Sequence, residues 1–171
     1  MDAEYFFEKF KSKMDFLLEK DILVDPEKPD ELGKPLLTFA FNLAIYLILE
    51  DYNEHYPNNP LGVIPENKVG RGGFSDALIV SSDSKIMFLE IEHENNNRFE
   101  KLQENIDKLV NSQARQQIII TYESEAGKIT KDKILKNLIV KKDMWIIIGT
   151  DELENGGEDF SLHKLTPNIR R

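Results

Sequence analysis

Asp76, Glu90 and Glu92 are the residues whose types and spacing suggest chemistry. Glu90 and Glu92 occupy alternate positions of Phe88-Leu89-Glu90-Ile91-Glu92, a run otherwise as apolar as a buried strand. His93, Glu94 and three asparagines follow it. Asp76 lies in an earlier apolar run, Phe74 to Ser81. A carboxylate removed from water is costly unless it is protonated, paired or holding a cation. The two runs flank Ser82-Asp83-Ser84 and read as a hairpin. If Ser81 pairs with Lys85 around that three-residue loop, Asp76 lies opposite Glu90. Side chains alternate along a strand, so all three carboxylates would then share one face. A slip of one residue would part Asp76 from Glu90. The acids either reach solvent, pair with lysines or hold a hard divalent cation. Mg²⁺ prefers oxygen ligands and typically takes one or two carboxylates plus waters. Held that way, it polarises a phosphoryl oxygen and activates a water.

Other residues could join such a site. Glu50 and Glu54 share a helix face, where Glu50 either reaches the metal or is solvated. Arg71, between Gly70 and Gly72-Gly73, could hold a phosphate or a carboxylate, and the glycines allow close backbone approach or simply a turn. His93 could contact phosphate or be ordinary polar surface. Gln113, with Arg115 and Gln116, precedes a strand and could face the site. Lys128, Lys131, Lys133, Lys136, Lys141 and Lys142 form the one basic segment, which either tracks a nucleic-acid backbone or is a solvated helix face. The HENNN run lacks the spaced histidines of an HNH nuclease, because His55 and His163 do not complete one.

These residues need elements to position them. Tyr5, Phe6, Phe10, Met14, Leu17 and Leu18 fall near helical spacing, which predicts an amphipathic helix over 3–21. The proline-rich stretch 22–35 is a connector. A core helix is expected from Leu36 to His55, then a loop over 56–73. FSDALIVS and KIMFLEIE form the hairpin. The helix RFEKLQENIDKLVN follows, with Asn95 to Asn97 as its cap. QQIIITY is a strand, ITKDKILKNLIVKK a helix and MWIIIGT a strand. The expected fold is α/β, with an antiparallel hairpin leading into crossover connections and hence a mixed sheet. The expected divisions are an N-terminal helix and connector over 1–35, a core over 36–150 and a polar tail over 151–171.

The chain has 171 residues, 40% hydrophobic, which suits one domain with an appendage. It has no cysteine, so disulfides and cysteine-based metal sites are excluded. Its start mixes acids and bases, unlike a signal peptide. No run of 18 apolar residues is present, so no membrane span and a cytoplasmic location are expected. The net charge of −9 argues against general nucleic-acid binding but leaves room for a local basic face.

Gly70-Arg71-Gly72-Gly73-Phe74-Ser75-Asp76, a hairpin and then Glu90-Ile91-Glu92 together resemble the PD-(D/E)XK nuclease superfamily, across residues 45–122. The resemblance implies a restriction-endonuclease-like core flanked by helices. It implies that Asp76 and Glu90 bind Mg²⁺ (Mn²⁺ substituting), helped by the Ile91 carbonyl and by Glu50 as an outer ligand. Glu92 falls where the motif carries lysine, and would act on the attacking water. Ser75 stands where proline is common. The expected activity is metal-dependent hydrolysis of nucleic-acid phosphodiesters, DNA favoured, and one site cutting one strand would suit a homodimer. Two alternatives stand beside it: a non-catalytic interaction module on the same fold, and a small hydrolase acting on nucleotides.

Overall fold

The apolar residues fall onto the two faces of one sheet, and the helices cover both. The computed structural model describes residues 1–19, 34–69, 73–95, 98–124, 129–150 and 156–167. Helix α1 (Ala3–Glu19) starts at Asp2, whose carboxylate accepts the Tyr5 N–H at 2.9 Å. That satisfies one of the amide donors a helix start leaves open. Phe6, Phe10, Met14 and Leu17 of α1 are fully buried. Helix α2 (Lys34–His55) buries Ala40, Phe41, Ala44, Ile45 and Ile48 in the same cluster.

The sheet has six strands in chain order: β1 (Leu61–Lys68), β2 (Phe74–Ser81), β3 (Met87–Glu94), β4 (Gln116–Tyr122), β5 (Met144–Gly149) and β6 (Phe160–Leu165). β1, β2 and β3 pair antiparallel, β3, β4 and β5 parallel, and β6 returns antiparallel to β5. Helix α3 (Phe99–Leu109) joins β3 to β4, and α4 (Lys131–Asn137) joins β4 to β5. Ala77, Ile79, Leu89, Ile91, Ile118 and Ile120 face α1 and α2. Ile119, Ile146 and Ile148 face α3 and α4. The expected α/β architecture, a mixed sheet flanked by helices with further helices at the N-terminus, is therefore present.

Four local expectations change. Residues 61–68, expected as loop, form β1. Pro65 is tolerated there because β1 is an edge strand. The polar tail carries a 3₁₀ turn (Gly156–Asp159) and β6. The helix expected over 3–21, set apart with its connector as an N-terminal division, is built into the main core: Phe10 of α1 meets Phe160 of β6 edge to face, ring centroids 5.1 Å apart. Finally, α3 has Arg98 at its N-cap, with no side-chain cap bond. Asn95 instead donates to the Thr38 hydroxyl at 2.9 Å, and Asn96 and Asn97 lie outside the described residues. Among the described residues no helix is long and apolar enough to cross a membrane.

Candidate active site

The hairpin register decides which carboxylates meet. Ser81 N–H donates to the Ile86 carbonyl at 2.9 Å, so the loop is one residue longer than expected. A bulge follows: Val80 pairs with Met87 but Ile79 with Leu89, leaving Phe88 as the extra residue. Leu78, not Asp76, therefore pairs with Glu90. The two changes together shift the register by an even number, so the face is preserved. Asp76 lies one step beyond the Ala77–Ile91 pair, beside Glu92. The Asp76 carboxylate accepts the His93 N–H at 2.6 Å, which fixes that side chain across the strands.

Glu92 has two unlike oxygens. Its Oε1 accepts the Lys108 ammonium of α3 at 2.5 Å. The same ammonium also donates to the Phe74 carbonyl at 2.8 Å, which ties α3 to the start of β2. Glu92 Oε2 is buried and has no hydrogen-bond partner among the described residues. Burial pushes the Glu92 carboxyl up to about 7; Lys108 opposes this, while the nearby Asp76 and Glu94 charges add to it. Burial likewise raises Asp76, against the His93 amide and Lys108.

Glu90 is different. It is 2% exposed, and both its oxygens are occupied. Ser75 Oγ donates to Oε1, Asn67 Nδ2 reaches Oε1 at 3.1 Å, and Ser112 Oγ donates to Oε2 at 3.1 Å. These donors come from β1, β2 and the α3–β4 connection. Glu90 thus binds three segments together.

The other expected residues scatter. Glu50 is exposed on α2, and α2 packs on the opposite face of the sheet, so it does not join the carboxylates. His93 also points away. Its ring stacks on Phe41, centroids 4.7 Å apart, and meets the Tyr122 hydroxyl at 2.8 Å. Burial lowers its pKa to about 4, so it is a neutral core imidazole and not a phosphate contact. Ile91 is buried against α1 and α2, and its main chain sits between the ladders to Ala77 and Ile118. Gly73 has φ 107°, which favours glycine, and its carbonyl accepts the Val69 N–H at 2.8 Å. Arg71 and Gly72 lie outside the described residues. Gln113 lines a cavity shared with Glu90. In the basic segment, Lys141 pairs with Asp107 at 3.2 Å, and Lys142 donates to the Ser112 carbonyl at 3.0 Å.

Lys108, Asn67 and Ser112 were missed by the sequence reading. Lys108 had one signal: it sits one turn after Phe99-Leu102-Asn105 on the helix that follows the motif, two positions past the apolar Ile106. Asn67 and Ser112 had none, because each reaches Glu90 through a tertiary contact.

Among the described residues no group of three or more histidine or acidic side chains is arranged to hold a metal ion. Mg²⁺ can be held by fewer, one or two carboxylates completed by waters and substrate oxygens, and two carboxylates here have an oxygen free to offer. Glu92 Oε2 is an orphaned buried acceptor, and Asp76 Oδ1 accepts no hydrogen bond from a described residue. Glu90 does not fit, since its oxygens are already engaged.

No known family profile matches the chain, and no curated protein matches it. A solved structure of Pyrococcus furiosus SfsA in complex with Ca²⁺ is similar at 16% identity, over 85% of this chain and 69% of that one, with a TM-score of 0.36. A likeness that loose lends no weight to any shared chemistry.

Proposed function

We propose that this chain is a metal-dependent hydrolase of nucleic-acid phosphodiesters, with Asp76 and Glu92 as the metal-holding carboxylates. The observation that carries the reading is the unpartnered, buried Glu92 Oε2 beside Asp76, with Lys108 on the other oxygen. A protein does not normally leave a buried acceptor open, since that costs about 1–3 kcal/mol. A divalent cation would supply the missing partner. When bound, Mg²⁺ polarises a phosphoryl oxygen and makes its water more acidic. Asp76 and Glu92 hold and orient that centre. Lys108 supplies from α3 the positive charge that the motif's third position lacks, close to where phosphate charge develops. Glu90 keeps β1, β2 and the α3–β4 connection in register around the two. The element order supports the same reading: a hairpin with acids on one face, a crossover helix, then a parallel strand.

A second reading has its own observation. Glu90 has a full set of donors and Lys108 already neutralises Glu92, which suits a non-catalytic interaction module whose acids serve structure.

The test is cleavage of linear, branched and single-stranded DNA and RNA with Mg²⁺ or Mn²⁺, beside calorimetric titration of each metal. Asp76→Asn and Glu92→Gln should each reduce cleavage about 100-fold or more and weaken metal binding. No cleavage and no metal binding by the parent chain would remove the hydrolase reading in favour of the module.

A further inference from the structure

A trough runs beside Glu90, made of two neighbouring cavities that share Met87 and Gln113 in their linings. The inner cavity, about 200 Å³, has Glu90 in its wall and the amides of Asn67, Asn111 and Gln113 around it. The outer cavity, about 280 Å³, is edged by Lys85 and Arg115. Met87 reaches the trough because of the bulge at Phe88. That extra residue turns Met87 onto the face of Leu78 and Val80, and bulges commonly re-aim a side chain in this way.

The two cavities differ in chemistry. The inner one is lined by the amide side chains of Asn67, Asn111 and Gln113 together with the apolar Met87 and Val69. It is smaller than the roughly 300 Å³ at which pockets for drug-sized ligands begin. A flat heteroaromatic ring with donors and acceptors on its edge matches both its size and its lining. Gln113 is exposed, and among the described residues its amide has no hydrogen-bond partner, so it is available to a ligand. The outer cavity suits an anion. The Arg115 guanidinium lies over the Phe88 ring, 5.3 Å from the centroid, and makes no ion pair with a described residue. Lys68, at the other rim, is likewise unpaired among the described residues. Cations without acidic partners are notable in a chain with 31 acidic and 22 basic residues.

We infer that the trough is a subsite for an unpaired nucleic-acid strand, with one base in the inner cavity, one flanking phosphate at Arg115 and the other at Lys68. The inference rests on the nucleic-acid reading above and names its substrate class as single-stranded. Duplex is excluded by the inner cavity, which has no room for a base pair. DNA and RNA strands share the recognised chemistry.

The test is fluorescence anisotropy of labelled single-stranded DNA, single-stranded RNA and the matching duplexes, with the full chain in EDTA so that cleavage plays no part. Single strands should bind several-fold more tightly than duplex. Gln113→Leu, which keeps the size and removes the amide, should weaken strand binding several-fold. Arg115→Gln should lower the salt dependence by about one unit. Lys101→Gln, on α3 and outside the trough lining, serves as the control and should change neither. Duplex binding as tight as strand binding would overturn the inference, as would indifference to both trough variants. Strand binding through the trough without any cleavage would preserve it while the hydrolase reading fails. Cleavage that prefers duplex and ignores Gln113→Leu would do the reverse.

Discussion

Glu92 and Lys108 form the most consequential pair of side chains in the molecule. Their charges lie 2.5 Å apart in a site where Glu92 is 5% exposed. Removing one member strands the other, which typically costs about 3–5 kcal/mol for a buried pair. Lys108→Met should show that loss in urea denaturation at about pH 8. Adding Glu92→Gln to it should recover much of the stability, since no charge is then left buried. The carboxyl also makes stability depend on pH. Its pKa rises from 4.5 to about 7 on folding, so the folded chain favours the protonated form. The stabilisation from that protonation is complete below 4.5 and is lost as pH rises through about 7. Stability of the parent relative to Glu92→Gln should therefore fall across that window. An unchanged difference between about pH 4 and about pH 8 would show that the group does not titrate there.

The elements impose their own tolerances. Gly149 ends β5 between Tyr122 of β4 and Phe160 of β6. A Cβ there would stand 2.8 Å from both rings. Gly149→Ala should cost about 1–3 kcal/mol by overpacking, visible as a lower denaturation midpoint. Much of this layer could be read from the sequence. The runs FSDALIVS and QQIIITY coincide with β2 and β4 because continuous apolar stretches of that length suit strands buried on both faces. β1 and β6 were missed for the converse reason. LGVIPENK and FSLHKL are edge strands, half exposed, without a clear alternation. The hairpin is the instructive case. Its face was correctly expected, since an even shift leaves parity alone. Its pairing was not, since loop length and the Phe88 bulge are settled by tertiary packing. That shift moves Asp76 from Glu90 to Glu92, and so changes which carboxylates meet. Glu92 finds its cation on α3, at Lys108, a contact that no local pattern encodes.

At the scale of the whole molecule, the first helix and the last strand belong to one core. Phe6 and Phe10 of α1 join Phe160 of β6 in the cluster that also holds Ile118 and Ile147 from the middle of the sheet. What sequence order suggested as an appendage and a tail is the closing seam of the fold. The strand that carries Glu90 and Glu92 lies well inside that seam: β3 is antiparallel to one neighbour and parallel to the other. Its amides are locked on both sides, so they should open to solvent only when the entire chain unfolds. Hydrogen–deuterium exchange should find Leu89 to Glu92 among the slowest amides, with rates that track global stability. The turn residues Asp83 and Ser84 should exchange far sooner. Thermal fluctuation can then loosen the turn between β2 and β3 without displacing the acids of β3, which lets a yielding rim stand beside a fixed strand.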